Sequence, residues 1–397
     1  MSSIIWQAMV TLPFLIFIAV LGVGIVIPVL PIYATAFGAT GLEIGLVFSL
    51  LSLSRMLGVI LIGGIADRYG KKGFIILGLI IYLISSVLYV YAGNLKDLMG
   101  IRILQGIGSS MIVPLAMAYI GELAPFGKEG LYMGIANTAF FLGLAGGPLI
   151  SGLLVKNWGI NAAFWGMTIF TAVALILAVV FVPSSSGSSK GVKRLDLLET
   201  LHTIFSKREY FSLWFMGFAM DLSRAILMTF FPFMAHKKGI GYDEIGIIVG
   251  IFLGVTALVQ GPFGKMADKY SKKKIIILSN IFYALLIFIL PYLTDYLLLL
   301  IIMFFTGVVV GAAYPALSAI MAELGREKGM ATTMSILQLS NSAGMFIGPV
   351  LSGKAQDLFG LGAPFKVGGL FVILGVLLVY LLTSHKLKND ESNTTKS

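Results

Sequence analysis

The sequence predicts an all-α integral membrane protein, with twelve transmembrane helices arranged as two pseudo-symmetric six-helix bundles. Composition, run length and an internal repeat carry that prediction. Of 397 residues, 58% are hydrophobic and only 12% charged, and the mean hydropathy is +0.98. Soluble globular domains carry about 25% charged residues. No water-soluble core hides this much apolar surface, whereas the chain is long enough for many spans of roughly 20 residues each.

Apolar runs between charged or turn-rich breaks fall at 8–34, 43–62, 74–92, 96–120, 130–155, 162–182, 210–235, 244–263, 274–293, 296–321, 329–353 and 366–383. Hydrocarbon offers no partner to a backbone amide, so each run is expected to be helical. The runs are continuous rather than alternating, which argues against a β-barrel. With both termini in the cytoplasm, 19 Lys and Arg lie inside, 6 outside and 3 within spans. That distribution follows the positive-inside rule, although the N-terminal tail itself carries no basic residue. It also accounts for the formal charge of +10 without invoking nucleic acid. The first run continues past 20 residues with no small-residue cleavage pattern, so no cleavable signal peptide is expected. The absence of cysteine excludes disulfides, thiolate catalysis and Cys-ligated metals.

The second half repeats the first at an offset of 201 residues without a gap at any landmark. Pro31 meets Pro232, and Glu43-Ile44-Gly45 meets Glu244-Ile245-Gly246. Gly63 and Asp67 meet Gly264 and Asp268, while Gly106, Pro114 and Glu122 meet Gly307, Pro315 and Glu323. Gly143, Gly147-Pro148 and Ser151-Gly152 meet Gly344, Gly348-Pro349 and Ser352-Gly353. Parallel repeats of this kind build alternating-access carriers, with the substrate site near the midplane between the halves. The expected organisation is an N-terminal bundle over 1–182, a cytoplasmic linker with a short amphipathic helix over 183–209, a C-terminal bundle over 210–384, and a disordered tail over 385–397.

Between spans two and three stands Gly63-x-x-Ala66-Asp67-Arg68-x-Gly70-Lys71-Lys72. Gly63 permits close helix contact and Gly70 a turn at positive φ. Asp67 suits the N-terminus of a neighbouring helix, where the dipole favours an anion. An ordinary positive-inside loop explains Lys71 and Lys72, but not Asp67 or the repeated Gly-to-Asp spacing. In the second copy Ser271 replaces the turn glycine, followed by Lys272. Glu122 and Glu323, at the inner ends of spans four and ten, are expected to pair with these basic stretches. In span five, Gly143, Gly147, Pro148 and Gly152 put small residues at four- and five-residue spacing, which lets helices approach closely.

The 63–72 stretch resembles the signature loop of the major facilitator superfamily. Arg102-x-x-Gln105-Gly106-x-Gly108 resembles its second motif, and Gly143–Gly152 the motif of its twelve-helix drug:proton antiporters. The resemblance implies the major facilitator fold, a latch of the outward-facing state made by Asp67 with span eleven, and a tight contact between spans five and eight. Many relatives in the drug-exporter group carry an acidic residue in span one; here that span has none.

Ionisable residues at membrane depth are functional candidates by default. Arg55 lies midway along span two, Arg102 in the outer half of span four, and Asp221 and Arg224 in span seven, three residues apart and able to share a helical face. Burial favours a protonated carboxyl and a nearby cation favours the ionised form, so movement of an arginine relative to Asp221 would switch its protonation. A static ion pair holding the bundle together fits the same residues. For Arg102, hydrogen bonding to carbonyls competes with a part in proton transfer. His202, His236 and His385 are expected in loops or tails. Three arginines and one aspartate suit a neutral, zwitterionic or anionic amphiphile better than a dedicated cation. Asn137, Gln338 and Asn341 are the expected polar points beside Arg55 in the cargo cavity.

These readings lead to an expected proton-coupled antiporter that exports amphipathic molecules, with Asp221, Arg224 and Arg102 in coupling. The latch set comprises Gly63, Asp67, Arg68, Gly70, Lys71, Glu122, Gly264, Asp268, Lys272 and Glu323. The alternative is a transporter or flippase for organic anions or lipid-like substrates. No enzyme constellation, dinucleotide fingerprint or P-loop is present. No metal or cofactor beyond the proton gradient is expected. The expected partners are a small amphipathic substrate and the lipid bilayer, with no nucleic acid. The expected state is a functional monomer in the cell membrane with both termini cytoplasmic.

Overall fold

The structure, a computed structural model, describes residues 2–124, 129–183, 204–206, 208–328 and 330–383. All its regular elements are helical among these residues. The first half contains α1 (Ser2–Val26), α2 (Leu30–Ala36), α3 (Gly41–Tyr69), α4 (Lys71–Val90), α5 (Leu95–Leu123), α6 (Glu129–Trp158) and α7 (Ile160–Phe181). The second contains α8 (Arg208–Lys237), α9 (Tyr242–Lys269), α10 (Lys272–Ile289), α11 (Tyr296–Lys328), α12 (Met330–Phe359) and α13 (Ala363–Leu382). Most of the expected linker helix over 183–209, and the tail over 385–397, lie outside the described residues, as do His202 and His385.

Eleven spans among the described residues are long and apolar enough to cross a membrane, with α1 and α2 counted as one. The expected twelfth, over 329–353, is α12. It is long enough at 30 residues, but Gln338, Ser340, Asn341 and Ser342 dilute its apolar character.

Three expectations about local structure are corrected. Span one is not continuous: α1 stops at Val26 and α2 starts at Leu30, because Pro28 and Pro31 supply no N–H to carry the helix through. The signature residues from Gly63 to Tyr69 are not a loop but the last turns of α3, since nothing breaks the helix before Gly70. His236 lies not in a loop but in the last turn of α8, its ring 4.7 Å from that of Tyr242.

Gly70 alone joins α3 to α4, at φ 96°. At the equivalent joint Ser271 has φ −59°, and its hydroxyl accepts from Lys274 N as the N-cap of α10. The two copies thus make the same turn by different means. The repeated Glu43 and Glu244 have a shared purpose as well. Each carboxylate reaches back three residues to accept a backbone N–H, from Thr40 at 2.9 Å and from Gly241 at 2.9 Å, as in a capping box.

The described residues divide into two compact units. One takes those within 1–193 together with Pro232–Gly254, and the other takes those within 194–231 and from Val255 onward. The end of α8 and the first half of α9 therefore pack with the first unit. In the first unit α1 packs on α6 and α7, α3 on α5, and α4 on α5 and α7. In the second, α10 packs on α11 and α13, and α12 on α11 and α13.

The spans formed by α1 with α2, and by α8, are the most enclosed, at 83% and 89% buried. By contrast α7 exposes Ile169, Val173, Ile176 and Val180, and α13 exposes Leu370, Leu374, Leu377 and Leu381. These are equivalent repeat positions, and in a bilayer such an apolar stripe faces lipid.

The two joints should respond differently to substitution. Gly70→Ala forces a side chain into a glycine conformation and should cost about 1–3 kcal/mol, whereas Ser271→Gly should cost only a few tenths. Thermal unfolding midpoints of the purified variants check this; equal losses would contradict it.

Candidate functional site

Among the described residues, the charged side chains at membrane depth include two clusters, one in each unit. In the second unit Asp221 sits on the enclosed helix α8 and is only 2% exposed. Arg224, one turn on, donates from Nη2 to Asp221 Oδ1 at 2.9 Å. Tyr314 on α11 donates its hydroxyl to the same oxygen. Asn341 on α12 stands beside the Tyr314 hydroxyl. The Arg224 guanidinium lies 5.7 Å from the Tyr314 ring centroid, and its Nη2 is 3.9 Å from Met345 Sδ. Asp221 and Arg224 thus form a pair, and Asn341 joins it through a residue that sequence reasoning missed.

Gly344 explains how α12 comes so close. A Cβ there would stand 2.6 Å from Phe218 O, 2.7 Å from Leu222 N and 3.0 Å from Asp221 Cβ. The missing side chain lets the backbone of α12 press on α8 beside the carboxylate. A buried ion pair carries a desolvation penalty that its Coulomb attraction offsets only with further hydrogen bonds. Tyr314 supplies one.

In the first unit Arg102 on α5 is 4% exposed. Its Nη1 donates to Gln105 Oε1 at 2.8 Å, and Tyr89 donates to the same oxygen at 2.7 Å. The guanidinium also lies 5.0 Å from the Phe48 ring centroid, while Nε has no acceptor among the described residues. Its hydrogen-bond partner is a neutral amide. Arg55 is partly buried on α3 and interacts electrostatically with Tyr82. Asn137 on α6 and Gln338 on α12 are exposed.

At the basic ends, both expected pairings are present. Lys71 Nζ meets Glu122 Oε1 at 2.6 Å, and Lys272 Nζ meets Glu323 Oε1 at 2.9 Å. Their neighbours repeat too: Lys72 donates to Val179 O and Lys273 to Tyr380 O, each at 3.1 Å. There a lysine meets a helix C-terminus, where the dipole favours a cation. Arg68 is exposed, with its guanidinium 5.7 Å from the Tyr69 ring centroid. Gly63 lies in the last turns of α3, and the side chains of Asp67 and Asp268 lie outside what the structure describes. Among the described residues, a Cβ at Gly264 would meet Pro315, at the ordinary contact distance of 3.9 Å.

The span-five glycines divide between two neighbours. A Cβ on Gly143 would stand 2.5 Å from Phe17 O, and one on Gly147 would collide with the Gly24 backbone, both on α1. Only Gly152 faces α9, where its Cβ would come 2.8 Å from Asp243 Cα. A Cβ on Gly246 would in turn meet Pro148 and Gly152. Beyond this contact Lys156 Nζ pairs with Asp243 Oδ2 at 2.6 Å. The span five to span eight contact therefore runs along the motif through Ala145, Pro148, Leu149 and Gly152, against Asp243, Gly246, Gly250 and Gly254, while Gly143 and Gly147 face α1.

A sequence profile described as the Major Facilitator Superfamily matches residues 12–212 and again 213–396. The chain belongs to the Major Facilitator Superfamily. The two matched stretches start 201 residues apart, at the offset of the repeat. An MFS-type transporter of Methanocaldococcus jannaschii is 30% identical over 92% of this chain and 95% of its own length. Multidrug resistance protein 2 of Bacillus subtilis is 28% identical over 94% of each chain. The quinolone resistance protein NorA of Staphylococcus aureus is 26% identical over 96% of this chain and 97% of its own. Among solved structures, a bacterial homologue of the human lysosomal transporter Spinster superposes with a TM-score of 0.82. It is 16% identical, with 96% of this chain and 97% of that chain covered. As a superfamily member the protein is a multi-pass membrane transporter, and its relatives are transporters rather than enzymes.

Tyr314 left a signal in the sequence that only the repeat makes visible. It precedes Pro315, the partner of Pro114, yet the first half has Val113 at that position.

Because Gly143 and Gly344 are repeat partners pressed on α1 and α8, alanine at either should overpack and destabilise by about 1–3 kcal/mol. At Gly344 the displaced backbone also carries Asp221, so transport should fall further than for Gly143→Ala at matched stability. Thermal midpoints and transport rates of the two variants check this; equal transport at matched stability would contradict it.

Proposed function

We propose that this transporter is a proton-coupled antiporter that exports amphipathic small molecules by rocker-switch alternating access, in the cell membrane, with both termini cytoplasmic. The observation that carries the reading is Asp221, a carboxylate 2% exposed on an enclosed helix and held by Arg224 at 2.9 Å. An ionised Asp221 binds the guanidinium; a proton from water neutralises the carboxylate and releases Arg224 from the charge pair. The two protonation states then differ in how α8 is held, which is the differential interaction a coupled cycle requires. Resistance proteins among the relatives support the cargo class. Arg55, Asn137, Gln338 and Asn341 are the proposed cargo contacts, and the Lys71–Glu122 and Lys272–Glu323 pairs brace the cytoplasmic helix ends.

A second reading, transport of organic anions or lipid-like molecules, is favoured by Arg102, which is buried against an amide rather than a carboxylate.

In proteoliposomes with an imposed pH gradient, Asp221→Asn should abolish driven transport while the protein still reaches the membrane. Full coupled activity in that variant would overturn the assignment. Arg55→Ala separates the cargo readings: loss of anionic but not cationic ligand binding favours the second, and the reverse favours the first.

A further inference from the structure

Four repeat positions depart together from the first half. Val20, Val23, Val113 and Phe140 stand where the second half has Asp221, Arg224, Tyr314 and Asn341. The fold brings all four departures into one cluster drawn from α8, α11 and α12. A static buried ion pair on α8 calls for Tyr314 as its further hydrogen-bond donor. It does not by itself call for a polar residue on α12 beside that hydroxyl.

The chemistry of a phenol between a carboxylate and an amide explains both residues. A tyrosine hydroxyl carries one donor and two acceptor lone pairs, and an asparagine amide both donates and accepts. Toward ionised Asp221 the hydroxyl donates, as the structure has it, and the Asn341 amide stands beside the same hydroxyl, placed to donate to it. Once the carboxyl holds a proton it becomes a donor itself. The hydroxyl then accepts from Asp221 and gives its own hydrogen to the Asn341 carbonyl, which the amide presents by turning over. A proton from water joins the carboxylate, no covalent bond between heavy atoms changes, and the hydrogen bonds reverse direction along the line. Arg224 on α8, Tyr314 on α11 and Tyr283 on α10 are the titratable or charged groups acting on Asp221 here.

We propose that Tyr314 is a positioning residue that reads the protonation state of Asp221 and passes it, through Asn341, to α11 and α12. This rests on the proton-coupled reading, and it adds that the signal leaves α8 through a hydroxyl.

Tyr314→Phe removes only that hydroxyl and keeps a ring over Arg224. The chain has no cysteine, so Ile347→Cys, exposed on α12, accepts a single spin label without background. The labelled parent in lipid should show a spectral change on pH titration that is lost in Asp221→Asn, in Tyr314→Phe and in Asn341→Ala. The thermal midpoint of each variant shows whether it has folded, and Asn341→Ala keeps the test open should Tyr314→Phe fail to fold. If Asp221→Asn loses the response while folded Tyr314→Phe keeps it, the relay is overturned and the proton reading stands. If Asp221→Asn keeps the response, the proton reading itself fails. A parent with no response on α12 also overturns the relay.

Discussion

A carboxylate removed from water inside a bilayer must be held by donors the protein itself supplies, and Asp221 makes that constraint concrete. Its place on α8, the most enclosed span, takes it out of lipid contact. Arg224 answers its charge within one turn, and Tyr314 answers it from the next helix. Gly344 has no side chain where one would strike the backbone of α8. Each of these residues follows from the same requirement. Deep burial without them would leave an ion costing several kcal/mol.

The repeat separates what the membrane demands of both halves from what transport chemistry demands of one. Duplicated features answer general physics. Glu43 and Glu244 cap helix starts, Lys71 and Lys272 meet glutamates, and Lys72 and Lys273 meet helix C-termini. Matching apolar stripes on α7 and α13 face lipid. The clusters are not duplicated. Arg102, Gln105 and Tyr89 belong to the first half alone, with Met303, Thr306 and Leu290 at the equivalent positions. Asp221, Arg224 and Tyr314 belong to the second. A duplicated scaffold with unlike centres lets one half carry an ion pair while the other holds a cation against a neutral amide.

Apolar run length and the 201-residue offset made the fold legible, because bilayer thickness and helix geometry leave few alternatives. The pairing of Glu122 and Glu323 with the basic ends was legible too, since both charges had to lie at the same end of their bundle. Helix rotation was not. In spans that are apolar on nearly every side, periodicity does not say which face meets which neighbour. Hence Gly143 and Gly147, expected against span eight, turned out to face α1. Tyr314 went unnoticed for the same reason, since an aromatic in an apolar helix more often packs than bonds. The break at Pro28 and the helical course of 63–69 were boundary questions, settled by where an N–H is missing and where a glycine permits positive φ.

The proposed coupling requires Asp221 to take up and release a proton. Infrared difference spectroscopy of the purified protein in lipid, recorded between alkaline and acidic pH, tests it without any substrate. The account predicts a protonated-carboxyl band in the parent that is absent from Asp221→Asn. Identical difference spectra for parent and variant would contradict it.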